Sequence, residues 1–80
     1  MDEKLINKTT KRLEQICSSL VSDGWRQLVS YEERDHPHCG FSVLRTFRHP
    51  RGGMLTINVE GATIEIWRNG RLKKSETVAL

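Results

Sequence analysis

Histidines, cysteines and clustered acids are the side chains of this 80-residue sequence with chemistry to offer, and several of them crowd into one stretch. His36-Pro37-His38-Cys39 places two imidazoles and a thiol within four residues, with His49 and Cys17 as further ligand types elsewhere. Zinc takes about four nitrogen or sulfur ligands in a tetrahedron, usually from two separated pairs. Here one close cluster exists without a second pair at ligand-like spacing, so the expectation is a solvated polar loop and no metal. A Cys–His nucleophile pair needs a lowered thiol pKa and an orienting third group, and spacing shows neither. Glu32-Glu33-Arg34-Asp35 is a charge run, whereas acid–base catalysis needs two carboxyls held in distinct environments. Arg51-Gly52-Gly53 precedes an expected strand rather than a helix, so it makes no phosphate cradle. The chain is therefore read as non-catalytic, with no cofactor.

Two basic groups remain. Arg45, Arg48, His49 and Arg51 lie at the end of an expected strand and its turn; Arg68, Arg71, Lys73 and Lys74 surround a later hairpin. If both turns share one edge of a sheet they form a single patch, which would bind phosphates by counterion release with Trp67 available to stack on a base. Ordinary turn solubility and edge-strand protection account for the same residues without any ligand. Trp67 and Leu72 fall on the sheet face opposite Ile64 and Ile66. They would be exposed among charges, as interface anchors are, unless the tail Thr77-Val78-Ala79-Leu80 folds back over them.

The elements that must position these residues follow from periodicity. Leu5, Ile6, Leu13, Ile16, Cys17, Leu20 and Val21, with Thr9 filling the gap, recur in steps of three and four. That spacing predicts an amphipathic helix over about residues 3–22. Asp2 and Glu3 suit its positive end, and Ser22-Asp23-Gly24 ends it, with Gly24 free to adopt the left-handed conformation. Beyond Gly24 the pattern alternates, which predicts strands over about 25–31, 41–49, 54–60, 62–68 and 71–77. Glu32 to Gly40 reads as a polar loop. Asn69-Gly70 is the strongest hairpin signal, since both residues tolerate the positive φ of a type I′ turn. Pairing across it sets Arg68 against Arg71, Trp67 against Leu72, and Glu65 against Lys74, the last two as favourable pairs on one shared face. The result is an α+β fold: one domain, residues 1–80, with a helix on an antiparallel β-meander of four to five strands.

Size limits function. A chain this short buries about 60% of its unfolded surface, leaving little room for a deep substrate cavity beside a complete core. The net charge is +3, but residues 1–44 carry 6 basic and 7 acidic side chains while residues 45–80 carry 7 basic and 3 acidic. This bias suits an acidic partner, protein or nucleic acid. Two cysteines make no disulfide scaffold, no apolar run approaches a membrane span of about 20 residues, and charges occupy the place of a signal peptide's apolar segment. A cytoplasmic location is the expectation.

Asp23-Gly24-Trp25 after the helix, then Phe47-Arg48-His49-Pro50-Arg51 and Thr56-Ile57-Asn58-Val59, are similar to the helix-Gly-Trp and Phe-x-His-Pro pattern of the HicA-type mRNA interferase toxins. The resemblance covers about residues 13–60. It implies a helix-on-sheet fold and an RNA-binding ancestry. Where that family opens its second strand with Gly-Ser-His, this chain has Gly40-Phe41-Ser42, and the Asn69-Gly70 hairpin replaces the family's last helix. The ribonuclease activity therefore does not carry over on motif grounds.

The leading expectation is a small interaction protein, an inhibitor or adaptor, that binds a larger protein or complex through Trp67, Leu72, Arg68, Arg71 and Lys74. The alternative is a nucleic-acid-binding domain using Arg45, Arg48, Arg51, Arg68, Arg71 and Lys73. A HicA-like ribonuclease using His36, His38 or His49 comes third. No membrane partner is expected, and a homodimer remains compatible with the edge strands.

Overall fold

A computed structural model describes residues 2–80. The chain forms helix α1 (Glu3–Ser22) and then five strands, β1 (Arg26–His36), β2 (Gly40–Arg48), β3 (Met54–Glu60), β4 (Thr63–Arg68) and β5 (Arg71–Thr77). The strands make one antiparallel sheet in the order β1-β2-β3-β4-β5, each paired with its neighbour in sequence. The helix packs on one face of it.

Both helix ends are closed by local chemistry. The Asp2 carboxylate accepts the Lys4 backbone N–H at 2.8 Å, satisfying one of the free amides of the first turn. At the other end Gly24 has φ +96°, with its N–H donating to the Val21 carbonyl and the Trp25 N–H donating to the Leu20 carbonyl. This is a Schellman termination, which requires the left-handed residue the sequence supplies. A Cβ at position 24 would also lie 3.0 Å from His49 Nε2.

The buried helix stripe is Ile6, Thr9, Leu13, Ile16 and Cys17, narrower than the periodicity suggested, with Val21 left exposed. Thr9 enters the core because its hydroxyl donates to the Leu5 carbonyl at 2.7 Å, so no polar atom of its side chain is stranded. Opposite it, Phe41, Val43, Phe47, Leu55, Ile57, Val59 and Ile64 are buried. Register explains the set, since Val43 lies beside Val59 and Val59 beside Ile64 in one row across three strands.

Three features differ from the sequence reading. First, Glu32 to His36 belong to β1, paired with β2 as far as His36 opposite Gly40. An edge strand pairs on one side only, and its polar side chains can stay in water, so polarity alone made this segment look like a loop. Second, the β4–β5 register shifts between Ile66 and Trp67. Arg68 opposes Arg71 and Trp67 opposes Leu72 as expected, but the extra residue sets Lys74 against Ile66 and Ser75 against Glu65. The expected Glu65–Lys74 pair is not formed, because a one-residue bulge moves everything beyond it to the other face. Third, the tail does not cover Trp67. The Val78 N–H donates to the Ala62 carbonyl at 2.8 Å, Val78 packs against the core, and Leu80 is exposed. Among the described residues no helix is long and apolar enough to cross a membrane.

Candidate functional site

None of the described segments lies over the sheet face turned away from α1. Cross-strand register arranges it in four rows. Arg26, Arg48 and Met54 form the row at the end where β2 turns into β3. Next come Val29, Thr46, Thr56, Trp67 and Leu72, then Tyr31, Leu44, Asn58, Glu65 and Ser75. Glu33, Ser42, Glu60, Thr63 and Thr77 close the opposite end. Val29, Tyr31, Leu44, Met54 and Leu72 are exposed large apolar side chains, and Trp67 is half-buried. Leu44, Thr56, Asn58, Trp67 and Gly70 line a shallow depression on this face. The two middle rows are therefore an apolar and uncharged-polar band, interrupted by Glu65.

In a meander, alternate turns fall at the same end of the sheet. The His49–Gly53 and Asn69-Gly70 turns are accordingly neighbours, and they are bonded to each other. The Asn69 side-chain oxygen accepts the Met54 N–H at 2.9 Å, and the Asn69 N–H donates to the Met54 carbonyl at 3.0 Å. Asn69 and Gly70 both take positive φ, 51° and 79°, as the sequence pattern requires. This end gathers Arg26, Arg48, Arg51, Arg68, Arg71 and Lys73, all exposed. Arg68, Asn69, Arg71 and Lys73 line one concavity there, and Arg26, Leu28, Arg48, His49 and Pro50 another.

Ion pairing separates these cations from the other arginines. Arg12 grips Glu76 through two hydrogen bonds of 3.1 Å; Arg34 reaches Glu32 at 3.2 Å and Glu3 at 3.4 Å; Arg45 meets Glu14 at 2.7 Å. Among the described residues Arg26, Arg48, Arg51, Arg68 and Arg71 have no acidic partner. Two like-charged pairs even stand directly opposite across strands, Arg26 against Arg48 and Arg68 against Arg71, an arrangement that opposes folding unless a counter-charge arrives. Only an aromatic face is offered in return, with the Arg68 guanidinium 5.6 Å above the Trp25 ring.

The structure sorts the sequence candidates. Arg48, Arg51, Arg68, Arg71 and Lys73 come together at the turn end. Arg45 does not. Its side chain lies on the helix-covered face, only 14% exposed, and donates to Cys17 Sγ at 3.6 Å. Burial pulls its pKa down, but the hydrogen bonds to Glu14 and Cys17 outweigh that and hold the guanidinium firmly charged. The parity of β2 decides this placement, since Arg45 shares a face with Val43 and Phe47. Trp67 and Leu72 share the open face, whereas Lys74 is carried to the covered side by the bulge and lies 3.9 Å from Glu76. Arg26 escaped the sequence reading because its place beside Arg48 depends on where the β1–β2 hairpin closes.

The histidines serve as local fasteners. His36 Nδ1 accepts the backbone N–H groups of His38 and Cys39 at 3.2 and 3.3 Å, which shapes the β1–β2 turn. His49 Nδ1 accepts the Arg51 N–H at 3.1 Å, so its Nε2–H donates to the Asp23 carbonyl at 3.2 Å. That ring also meets Trp25 edge-on, with centroids 5.1 Å apart, tying the helix end to the β2–β3 turn. His36 and His38 thus sit at one end of the sheet and His49 at the other. Among the described residues no three His, Cys, Asp or Glu side chains converge on a metal-sized site. Burial pushes the Cys17 thiol pKa up, with Arg45 opposing the shift.

Comparison of the chain with family models, with curated proteins and with solved structures finds no match.

Proposed function

We propose that this protein is a non-catalytic interaction protein that docks on a larger protein carrying an acidic surface. The contact surface is the open sheet face together with the cationic turn end. Trp67 and Leu72 are the apolar anchors, and Arg68 and Arg71 with Arg48, Arg51 and Lys73 supply the charge. The observation that carries this reading is the contrast in pairing: among the described residues every arginine away from the turn end has an acidic partner, and the five arginines at it have none. Cations held opposite one another without counter-charge destabilise the free protein modestly and are neutralised by an acidic partner. Beside them, uncovered apolar side chains provide the desolvated contact area that most of an interface's affinity comes from.

Nucleic acid is the second reading, favoured by the joining of the two basic turns into one patch. The two classes differ in what they need. Phosphate binding rests on the arginines and weakens steeply with salt, while protein docking also rests on the apolar anchors. The test is capture of proteins on immobilised wild-type and Trp67→Ala chains, paired with anisotropy of labelled RNA, single-stranded DNA and duplex DNA across a salt series. A protein retained by the wild type and lost with Trp67→Ala supports docking. Salt-steep nucleic-acid binding that Trp67→Ala leaves intact replaces it with the second reading.

A further inference from the structure

The open face is charged at both ends, with opposite sign. Arg26 and Arg48 occupy one end row, and Glu33 and Glu60 the other, with Glu65 one row inside it. Strand parity puts the acids on this face, and long hydrogen bonds link them to their same-face neighbours. The Tyr31 hydroxyl donates to Glu33 at 3.2 Å, and the Asn58 amide reaches Glu60 at 3.4 Å and Glu65 at 3.5 Å. None of these three acids has a cationic partner among the described residues. The face therefore reads, along the strands, cationic end, two rows of mostly apolar and uncharged residues, anionic end.

Such a face complements itself. A two-fold axis lying between two copies and running across the strands reverses strand direction and keeps each strand over its own counterpart. Arg26 and Arg48 of one copy then lie over Glu33 and Ser42 of the other, with Glu60 close by. The row holding Val29 and Thr46 meets the row holding Tyr31 and Leu44. The alternative axis, along the strands, would lay β1 over β5 and the cationic end over the cationic end, with Glu60 over Glu60 and no arginine over an acid. Face-to-face sheets pack about 10 Å apart with strands aligned to within about 30°, which this arrangement satisfies.

The area is sufficient. Five strands spaced at about 4.8 Å and seven residues rising about 3.3 Å each give a footprint of about 550 Å² per copy. The pair buries about 1,100 Å², above the roughly 1,000 Å² that separates specific interfaces from chance contacts.

We infer that a second copy of this chain covers the open face, forming a two-fold dimer in which cationic and anionic ends are exchanged. This rests on the reading of that face as a docking surface and adds a second copy of the chain as what covers it when the larger protein is absent. By register Trp67 then lies over Glu65 and Leu72 over Ser75 of the second copy, so that a second copy and the larger protein compete for these two anchors. Arg51, Arg68, Arg71 and Lys73 stay accessible at the two far ends of the dimer for the acidic partner. The geometry makes the dimer bivalent, with its basic ends pointing apart.

The test is the mass in solution, by sedimentation or light scattering over a micromolar concentration series, of three full-length chains. These are the wild type, Arg26→Glu/Arg48→Glu, which is acidic at both ends of the face, and Glu33→Lys/Glu60→Lys, which is basic at both. Circular dichroism verifies that each is folded. The expected result is a wild-type dimer, two monomeric variants, and a dimer regained when the variants are mixed. A monomeric wild type throughout the series overturns the inference, as do variants that dimerise alone as well as the wild type does. If the wild type is monomeric yet still retains an acidic protein through Arg68 and Arg71, the dimer fails and the proposed function stands. If dimerisation follows the expected pattern but no such protein is retained, the reverse holds.

Discussion

The two faces of this sheet are built from the same strands and have opposite economies of charge. On the covered face the one arginine of β2, Arg45, is matched to Glu14 and Cys17, and the β5 acid Glu76 is matched to Arg12. The apolar side chains of Phe41, Phe47 and Ile57 are fully buried there. On the open face large apolar side chains meet water, and among the described residues Arg26, Arg48, Glu33 and Glu60 at its ends have no charged partner. Arg68 and Arg71, unpaired as well, lie by register on the helix side of the turn end, where Arg68 sits over Trp25. Self-sufficiency marks the surface that stabilises the chain. Incompleteness marks the one that is finished by another molecule. Folding is satisfied by the first face, so the residues of the second are free to be chosen for contact.

Truncation separates the faces most sharply. Phe47→Ala removes a fully buried ring and should cost about 3–5 kcal/mol, enough to unfold much of a domain this small. Leu44→Ala, on the open face, should cost the single chain, below the concentration at which two copies associate, less than about 1 kcal/mol because its side chain contacts water there. Urea unfolding of the two variants measures both. Equal losses would mean that the open face also acts as core.

At the junction between helix and turn end, Gly24→Ala should destabilise by about 1–2 kcal/mol or more, since the residue takes positive φ and its added methyl would press on His49. His49→Ala should loosen the same junction through its lost bonds to Asp23 and Arg51, seen as faster amide exchange at Arg51. If the Gly24→Ala chain melts like the wild type, the Schellman termination is not what orients Trp25 and His49.

Charge reversal should act in opposite directions on the two faces. Arg48→Glu replaces a like-charged cross-strand neighbour of Arg26 with an opposite one, so stability should rise by a few tenths of a kcal/mol, about 0.2–1 by the range for such pairs, while partner binding weakens. Arg45→Glu should instead destabilise strongly, because it leaves a buried anion beside Glu14. A melting series on both variants decides whether the turn end is strained by its own charge.

The smallest effect belongs to the Arg12–Glu76 pair. Its main cause, the hydrogen bonds from Arg12, lowers the Glu76 pKa in the folded chain, against a smaller opposing push from burial. A carboxyl lowered on folding contributes stability that is fully present above its ordinary pKa and is lost as pH falls through the folded value. Arg12→Ala should therefore narrow the stability difference from the wild type as the pH is taken below the ordinary carboxylate range. At neutral pH the pair is worth about 0.5 kcal/mol, being partly exposed.

Much of the covered face was legible in the sequence. Steps of three and four located the helix, alternation located β2 to β4, and Asn69-Gly70 located a turn whose φ values the structure bears out. The open face was harder to read because it depends on register. The bulge in β5 moved Lys74 off the surface assigned to it, the parity of β2 turned Arg45 inward, and the length of β1 brought Arg26 beside Arg48. None of these leaves a periodicity in a single strand. Polar edge residues such as Glu32 to His36 carry no apolar alternation at all, so their strand shows only in the backbone pairing with β2.

The most direct test of the docking surface places the same charge change in two locations. Arg68→Glu/Arg71→Glu alters the turn end, and Lys8→Glu/Lys11→Glu alters the solvent side of the helix by the same four charges. Proteins captured on immobilised wild-type chain should be lost with the first variant and kept with the second. Equal retention by both variants, or equal loss, would contradict the account, because net charge rather than the unpaired turn end would then govern binding.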